Sequence, residues 1–321
     1  MATPLVVLGE VRTCLLPSAV PLTRPEAVEL LTTVPGRAVR WRERPGSLAL
    51  SPTTAVGVDC ALSLGADPVH IVGTVATRTV LAGGRVLQSS AHTRVVRATE
   101  RRRQTWSHYV SQKGVTEIID RIPERAKPAV ALADSYLAGP TGRTTLDLAS
   151  ISERLLARVR ADARLDQNPP LRAGSTRLRW TAGVGGSAGP SAKMRLDDAT
   201  VRSIRVTVRE EKDLAAAQRF CEDVAAHDWL LTALADAFDE ADRFASHSRE
   251  RTGILAPALE HLPGLWMPGA HTPAVLRTLW KDLQAEPGFT RQWSTLVTRL
   301  RDSIAVATLN TLRHKDFDPN W

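Results

Sequence analysis

The sequence predicts an α+β protein: an antiparallel β-rich N-terminal region with short inserted helices, followed by an all-helical C-terminal region. Three observations predict it. The hydrophobic pattern alternates up to about residue 209 and takes helical spacing from Asp213 onward. Charge changes at the same place: residues 1–209 hold 30 Lys+Arg against 17 Asp+Glu, a surplus of +13, and residues 210–321 hold 12 against 17, a deficit of −5. The length, 321 residues, is enough for two units that each bury a core. The expected organisation is therefore a basic β-rich domain over 1–209 and an acidic all-helical domain over 210–321.

The first extended segment is Pro4–Leu16, PLVVLGEVRTCLL, with a break expected at Gly9. Thr23-Arg24-Pro25-Glu26 opens a short helix: Thr23 caps, Pro25 suits the first turn, and Glu26 favours the N-terminal dipole. That helix carries Val28, Leu30 and Leu31 and stops at Pro35-Gly36. Extended segments are expected at 37–43, 47–50 and 54–60. A hairpin is expected over 69–97, turning at Gly83-Gly84. A two-residue turn there pairs Ala82 with Arg85. It sets Val80 beside Leu87 on one face and Thr79 beside Gln88 on the other, a half-buried sheet.

Arg101-Arg102-Arg103 interrupts the alternation, and a short helix is expected around Val115–Ile122. Leu146–Arg164 reads as a helix with Leu148, Ile151, Leu155 and Val159 on one stripe, ended by Asn168-Pro169-Pro170. Thr176–Trp180 alternates, with Leu178 and Trp180 on one side and Arg177 and Arg179 on the other. A Gly/Ser loop at 183–191, read as a surface hairpin loop, leads to an extended stretch, Lys193–Val208. After Asp213, Phe220, Val224, His227, Leu231, Leu234 and Phe238 recur at steps of three and four. Asp228 offers an alternative cap, so either one long helix or two fit. Further helices start at Thr272-Pro273, ending at Pro287-Gly288, and around Trp293, Val297, Leu300 and Ile304.

Composition excludes several classes. Cys14, Cys60 and Cys221 are too few and too widely spaced for a disulfide framework or a metal quartet. No charged-then-apolar leader and no apolar run near 18 residues is present, so the expected location is a reducing cytoplasm without membrane insertion. The net charge of +8 comes from 36 Arg and 6 Lys. That ratio reads as coding bias of a GC-rich genome, which weakens the step from basicity to nucleic acid.

Catalytic, cofactor and metal motifs are not found. The loop GVGGSAGPSAK (183–193) lacks the Gly-Lys-Ser/Thr ending of a phosphate loop and runs into a strand instead of a helix. GPTGRTT (139–145) has only two residues between its glycines and Arg143 where Lys belongs. His227 sits on an apolar stripe and reads as a hydrogen-bonded core histidine; Cys221 reads as a small buried hydrophobe. Cys60, close to His70 and His92 in sequence, leaves open an alternative of cysteine–histidine chemistry. Arg101, Arg102 and Arg103, next to Trp106, His108 and Tyr109, leave open an alternative of nucleic-acid binding. Trp229 lies off the main stripe, among Ala225, Ala226, Thr232 and Ala233, and is expected to meet a second surface: either the sheet-rich unit or a partner. Terminal Trp321 is a candidate tail anchor.

The segments GEVRTCLLP (9–17), RPGSLALSPTTAVGVDC (44–60), TRTVLAGGRVLQSSAHTRVVRA (77–98), WSHYVS (106–111) and RFCEDVAAHDWLL (219–231) together resemble an uncharacterised actinobacterial protein family. That family is found in Streptomyces, in a conserved gene cluster with a variant P-loop protein and a methyltransferase-like protein. The family carries no established activity, so the resemblance transfers no functional residue. It implies a cytosolic bacterial origin and protein partners encoded nearby. The expected function is a non-catalytic interaction or accessory protein of a multi-protein system, with Trp229, Arg101, Arg102, Arg103, Arg177 and Arg179 as interaction residues.

Overall fold

The computed structural model describes residues 3–316 apart from 66, 123–126, 140–141, 143, 186–188 and 246–247, with side chains described as far as residue 310. Trp321 and Arg143 lie outside the described residues. In the first two thirds the elements are β1 (Val6–Leu15), α1 (Arg24–Leu31), β2 (Arg40–Arg42), β3 (Leu48–Leu50), β4 (Thr54–Leu64), β5 (Asp67–Ala82), β6 (Val86–Arg97), α2 (Trp106–Ser111), β7 (Val115–Ile118), α3 (Pro128–Ala138), α4 (Leu148–Arg160), β8 (Thr176–Val184), β9 (Ser191–Leu196) and β10 (Val201–Val208). Then come α5 (Leu214–Ala241), α6 (Arg249–His261), a 3-10 segment Ala274–Leu279, α7 (Trp280–Ala285) and α8 (Phe289–Asp316).

The ten strands form one mixed sheet in the order β2-β3-β5-β7-β6-β1-β8-β10-β9, with β4 on the outer edge of β5 and β5 also paired directly with β6. Most pairs are antiparallel, as expected, but β8 with β10 and β6 with β7 run parallel. β1 lies centrally between β6 and β8 and is continuous through Gly9, so the expected break is absent. A Cβ on Gly9 would sit 2.1 Å from the Trp180 ring, so the glycine makes room for an indole.

Both faces of the sheet are covered. On β8, Leu178, Trp180 and Ala182 face α5, and Arg177 and Arg179 face α3 and α4. The α5 face has one large core in which Val7, Val11, Trp180 and Ile204 of the sheet meet Phe220, Val224, Trp229 and Leu234 of α5, with α6, α7 and α8 stacked outside. This core crosses residue 209. The opposite face is buried by Leu132 and Tyr136 of α3 and Leu148 and Ile151 of α4.

Several local expectations hold. Glu26 accepts from the Thr23 backbone N–H at 2.8 Å and from its hydroxyl at 2.6 Å, starting α1. The helix expected over Leu146–Arg164 forms as α4 over Leu148–Arg160, and Asp147, not singled out in the sequence, caps it through Ser150 N–H at 3.1 Å. α5 is one helix of 28 residues; Asp228 lies inside it, paired with Arg202 at 3.1 Å, and caps nothing.

Three expectations are corrected. The β5–β6 hairpin forms and both glycines adopt positive φ, but the first ladder pair is Ala82 with Val86. Arg85 is the extra residue: its N–H closes the turn on Ala82 and its carbonyl accepts from Leu16 of the neighbouring chain segment at 2.7 Å. The register slips by one, so Val80 opposes Gln88, and Leu87 lies on the other face with Leu81. Residues 115–118 are strand β7, not a helix, because β-branched Val115, Thr116 and Ile118 pair between splayed β5 and β6. The helix lies earlier, at Trp106–Ser111. β8 and β9, on either side of the 183–191 segment, do not pair because β10 intervenes, so they form no hairpin; residues 186–188 of the segment lie outside the described residues.

Candidate functional site

Arg177 and Arg179 do not form an open basic face. They leave β8 beneath α3 and α4. The Arg177 guanidinium bonds to Glu10, which is completely buried, and Arg179 donates to the Leu137 carbonyl at 2.7 Å. The Tyr136 hydroxyl donates to Gly9 O at 3.0 Å beside them. Burial raises the Glu10 carboxyl above the usual range, although Arg177, Arg179 and Arg12 pull the other way, and its Oε2 has no partner. Asp147 lies on the same small cavity; burial works against it, but bonds from Ser150 hold it below the usual range. Two carboxyl groups driven in opposite directions form an acid–base pattern. The cavity between them is about 20 Å³, room for one water and for no substrate. This is a buried ion-pair network that fixes α3 and α4 to the centre of the sheet.

Trp229 is fully buried, and its Nε1 donates to Gly174 O at 2.8 Å. It therefore meets the sheet-rich part of its own chain, which corrects its place among residues open to a partner. Burial of the indole is worth roughly 2–3 kcal/mol at ~25 cal/mol per Å².

Arg101, Arg102 and Arg103 are exposed, ahead of α2. Arg102 is tied to Glu100 at 2.7 Å and Arg103 to Asp59 of β4 at 2.9 Å, while the Arg103 guanidinium lies 5.4 Å from the Trp106 ring centroid. Trp106 rests on Gly57, where a Cβ would come within 3.0 Å of the indole. It remains 41 % exposed, and Val110, one turn on, is 55 % exposed. Tyr109 is the buried anchor of this helix and accepts from Gln104 N–H at 2.9 Å.

The cysteine–histidine alternative is taken apart by the sheet. His92 shares a row with Ala76 and Ala55 and faces α5, stacked on Trp180; Cys60 packs against the core on the opposite face. Five residues of β4 separate their rows, roughly 16 Å of strand. Burial pushes the Cys60 thiol up to about 11 and holds the His92 imidazole down at about 3, so neither is poised as thiolate or imidazolium. His70 is held 2.6 Å from Asp59. His227 is a core histidine as expected. Its Nδ1 lies 2.7 Å from Asp223 O and its Nε2 accepts from Met267 N–H at 3.1 Å, which uses both ring nitrogens. Cys221 is buried in the α5 core.

A cleft of about 610 Å³ separates the β5–β6 turn and the 43–47 loop from α5 and the segment after α6. Leu230, Leu265 and Met267 supply apolar wall, and Arg85, His261 and His271 supply polar groups. Burial depresses the basicity of His271; the Asp223 carboxylate works the other way, and His227, Arg42 and Arg219 add smaller downward pulls. Sequence reading missed Glu10, Tyr136, Arg42, Arg219 and His271. Glu10 had one legible signal, a lone carboxylate inside an apolar run; the others come together only through the sheet register.

Among the described residues no group of His, Cys, Asp and Glu side chains forms a metal cluster, and no helix is long and apolar enough to cross a membrane. Comparison with protein-family models, curated proteins and solved structures finds no match.

Proposed function

We propose that this chain is a non-catalytic interaction protein of a multi-protein bacterial system, engaging a protein partner through α2 and the arginines before it. The observation that carries the reading is the exposure of Trp106 and Val110 on one short helix, preceded in the chain by exposed Arg101, Arg102 and Arg103, with the Arg103 guanidinium 5.4 Å from the Trp106 ring centroid. Tryptophan and arginine are the residue types enriched in binding hot spots. The positive rim suits an acidic segment carrying an apolar anchor, with charge steering the encounter and the indole holding it. Of the residues expected to interact, Arg101, Arg102 and Arg103 stay in this role, whereas Arg177, Arg179 and Trp229 serve the interior. The partners implied by the resemblance, a variant P-loop protein and a methyltransferase-like protein encoded nearby, are the first to assay.

The test is co-purification of the full chain with each co-expressed partner, comparing wild type, Trp106→Ala and Arg101→Ala/Arg102→Ala. Retention by wild type and loss in both variants, with unchanged circular dichroism and unfolding midpoints, is the expected result. Retention by both variants would remove α2 from the interface. Arginine with an aromatic also suits single-stranded nucleic acid, and a salt series separates the two. Tight oligonucleotide binding at physiological salt that falls steeply with added salt would replace the protein-partner reading.

A further inference from the structure

The strand register gathers a second group of arginines whose positions have no internal explanation. Arg40 shares a row with Leu50 and Val80, and Arg42 shares the next with Leu48 and Ala82. Side chains of one row leave a sheet on the same face, here the α5 face, as does Arg78 two residues before Val80. Arg78 is matched: its guanidinium makes a two-pronged bond to Glu222 of α5, at 2.8 and 2.5 Å. Arg219, nearly one turn earlier on α5, is half-buried. Among the described residues, the side chains of Arg40, Arg42 and Arg219 form no ion pair or hydrogen bond.

Of the nearby acids, Glu222 is held by Arg78, and Asp223 accepts from the Thr272 hydroxyl at 2.6 Å through Oδ2 while its Oδ1 has no hydrogen-bond partner. Glu43, 3.5 Å from Arg24, and Glu260 line the cleft. Burial depresses Arg219, the like charges of Arg42, Arg78 and Arg40 depress it further, and the Glu222 carboxylate offsets part of this. Glu222 is one anion among four guanidinium groups, so the cluster stays net positive, and a half-buried guanidinium in it costs stability unless a further anion joins. His271 connects this group to the cleft: it lines the cleft, lies near Asp223 as well as Arg42 and Arg219, and has a buried Nδ1 without a hydrogen-bond partner. The cleft volume, about 610 Å³, falls in the range of small-molecule sites, and its wall is largely apolar.

We infer that Arg40, Arg42 and Arg219 bind the phosphate of a small phosphorylated molecule whose organic part lies in the adjoining cleft against Leu265, Met267 and His271. Guanidinium groups suit this because their forked donors match phosphate oxygens two at a time. No glycine-rich loop is required, which is why the failed loop motifs at 139–145 and 183–193 do not bear on it. The site is separate from α2 and stands whether or not α2 binds a partner.

The test titrates the full chain with inorganic phosphate, glucose 6-phosphate and AMP by calorimetry, at constant ionic strength set with chloride. Saturable binding of phosphate is expected, with at least one of the two organic phosphates tenfold tighter. Arg219→Gln and Arg42→Gln should each weaken binding tenfold or more. Arg219→Gln should also raise the unfolding midpoint in low salt without phosphate, since it removes a like charge. If that variant fails to fold, exposed Arg42→Gln carries the test. No binding beyond chloride, equal affinity for all three probes, or affinity unchanged by Arg42→Gln would overturn the assignment.

Discussion

Arg179 and Trp180 are neighbours on β8, yet they leave the sheet in opposite directions into opposite chemistry. Below Trp180, the α5 face is apolar at its centre, and its ion pairs, Arg78 with Glu222 and Arg202 with Asp228, flank that centre. Beside Arg179, the α3/α4 face puts a carboxylate at the centre of the sheet, at Glu10 on β1, and surrounds it with Arg177, Arg179 and Tyr136. Hydrophobic burial tolerates imprecision, because the gain scales with area. A buried carboxylate does not, because each missing bond leaves desolvation uncompensated. The first face should therefore hold most of the stability, and the second should fix one arrangement of α3 and α4.

The largest expected effect is on the apolar face. Trp229→Ala should cost about 4 kcal/mol, the scale of a large-to-small core substitution, measured by urea unfolding. A loss below about 1 kcal/mol would mean that α5 is not the main clamp. On the ionic face, Glu10→Ala should cost about 3 kcal/mol, because it strands Arg177 in a half-buried site. The double variant Glu10→Leu/Arg177→Leu should recover most of that loss, as ion pairs replaced by apolar residues often do. If the double variant is no better than the single, the pair contributes net stability and the contrast between the faces weakens.

A smaller effect separates the faces by pH. Burial holds His227, on the α5 side, down at about 4, while a bond to Asp223 O works the other way. The folded value lies below the ordinary one near 6.5. The neutral ring therefore contributes stability above pH 6.5 that is lost as pH falls through that value toward 4. Up to about 3 kcal/mol is at stake, at ~1.4 kcal/mol per tenfold change. His227→Gln should lower stability at pH 7 but remove this part of the acid limb, seen as converging wild-type and variant unfolding curves at pH 4.5. Parallel curves from pH 7 to 4.5 would show that His227 does not titrate in this range.

Patterns set by one element were readable in the sequence. Thr23 and Glu26 mark a helix start through bonds three residues apart, and the alternation of Arg177, Leu178, Arg179 and Trp180 assigns two faces whatever the neighbours are. What failed depended on a second segment. The Gly83-Gly84 turn is correct, but its register is set by Leu16, which takes the Arg85 carbonyl. Val115–Ile118 is ambiguous by itself and becomes strand because β5 and β6 splay apart to admit it. The small neighbours of Trp229 on its helix predict a second surface, and the structure supplies that surface at Gly174. Arg177 and Arg179 were seen as a pair without the buried Glu10 that explains them. The Arg40, Arg42 and Arg219 group was out of reach, since it needs three strand registers and one helix together.

The central position of β1 also matters for the order in which the chain is made. Val7 pairs with Arg94 on one side and Ala182 on the other, so its second neighbour is synthesised 175 residues after it. At about 5–20 residues per second, that is roughly 10–35 s during which an apolar strand has one edge open. Pairings this distant in sequence also slow folding, because the loop must close before the contact is gained. The strand that ends as the best-protected element of the sheet is thus exposed for longest during synthesis. A nascent chain stalled before residue 176 should be the form most prone to aggregate and most dependent on chaperones.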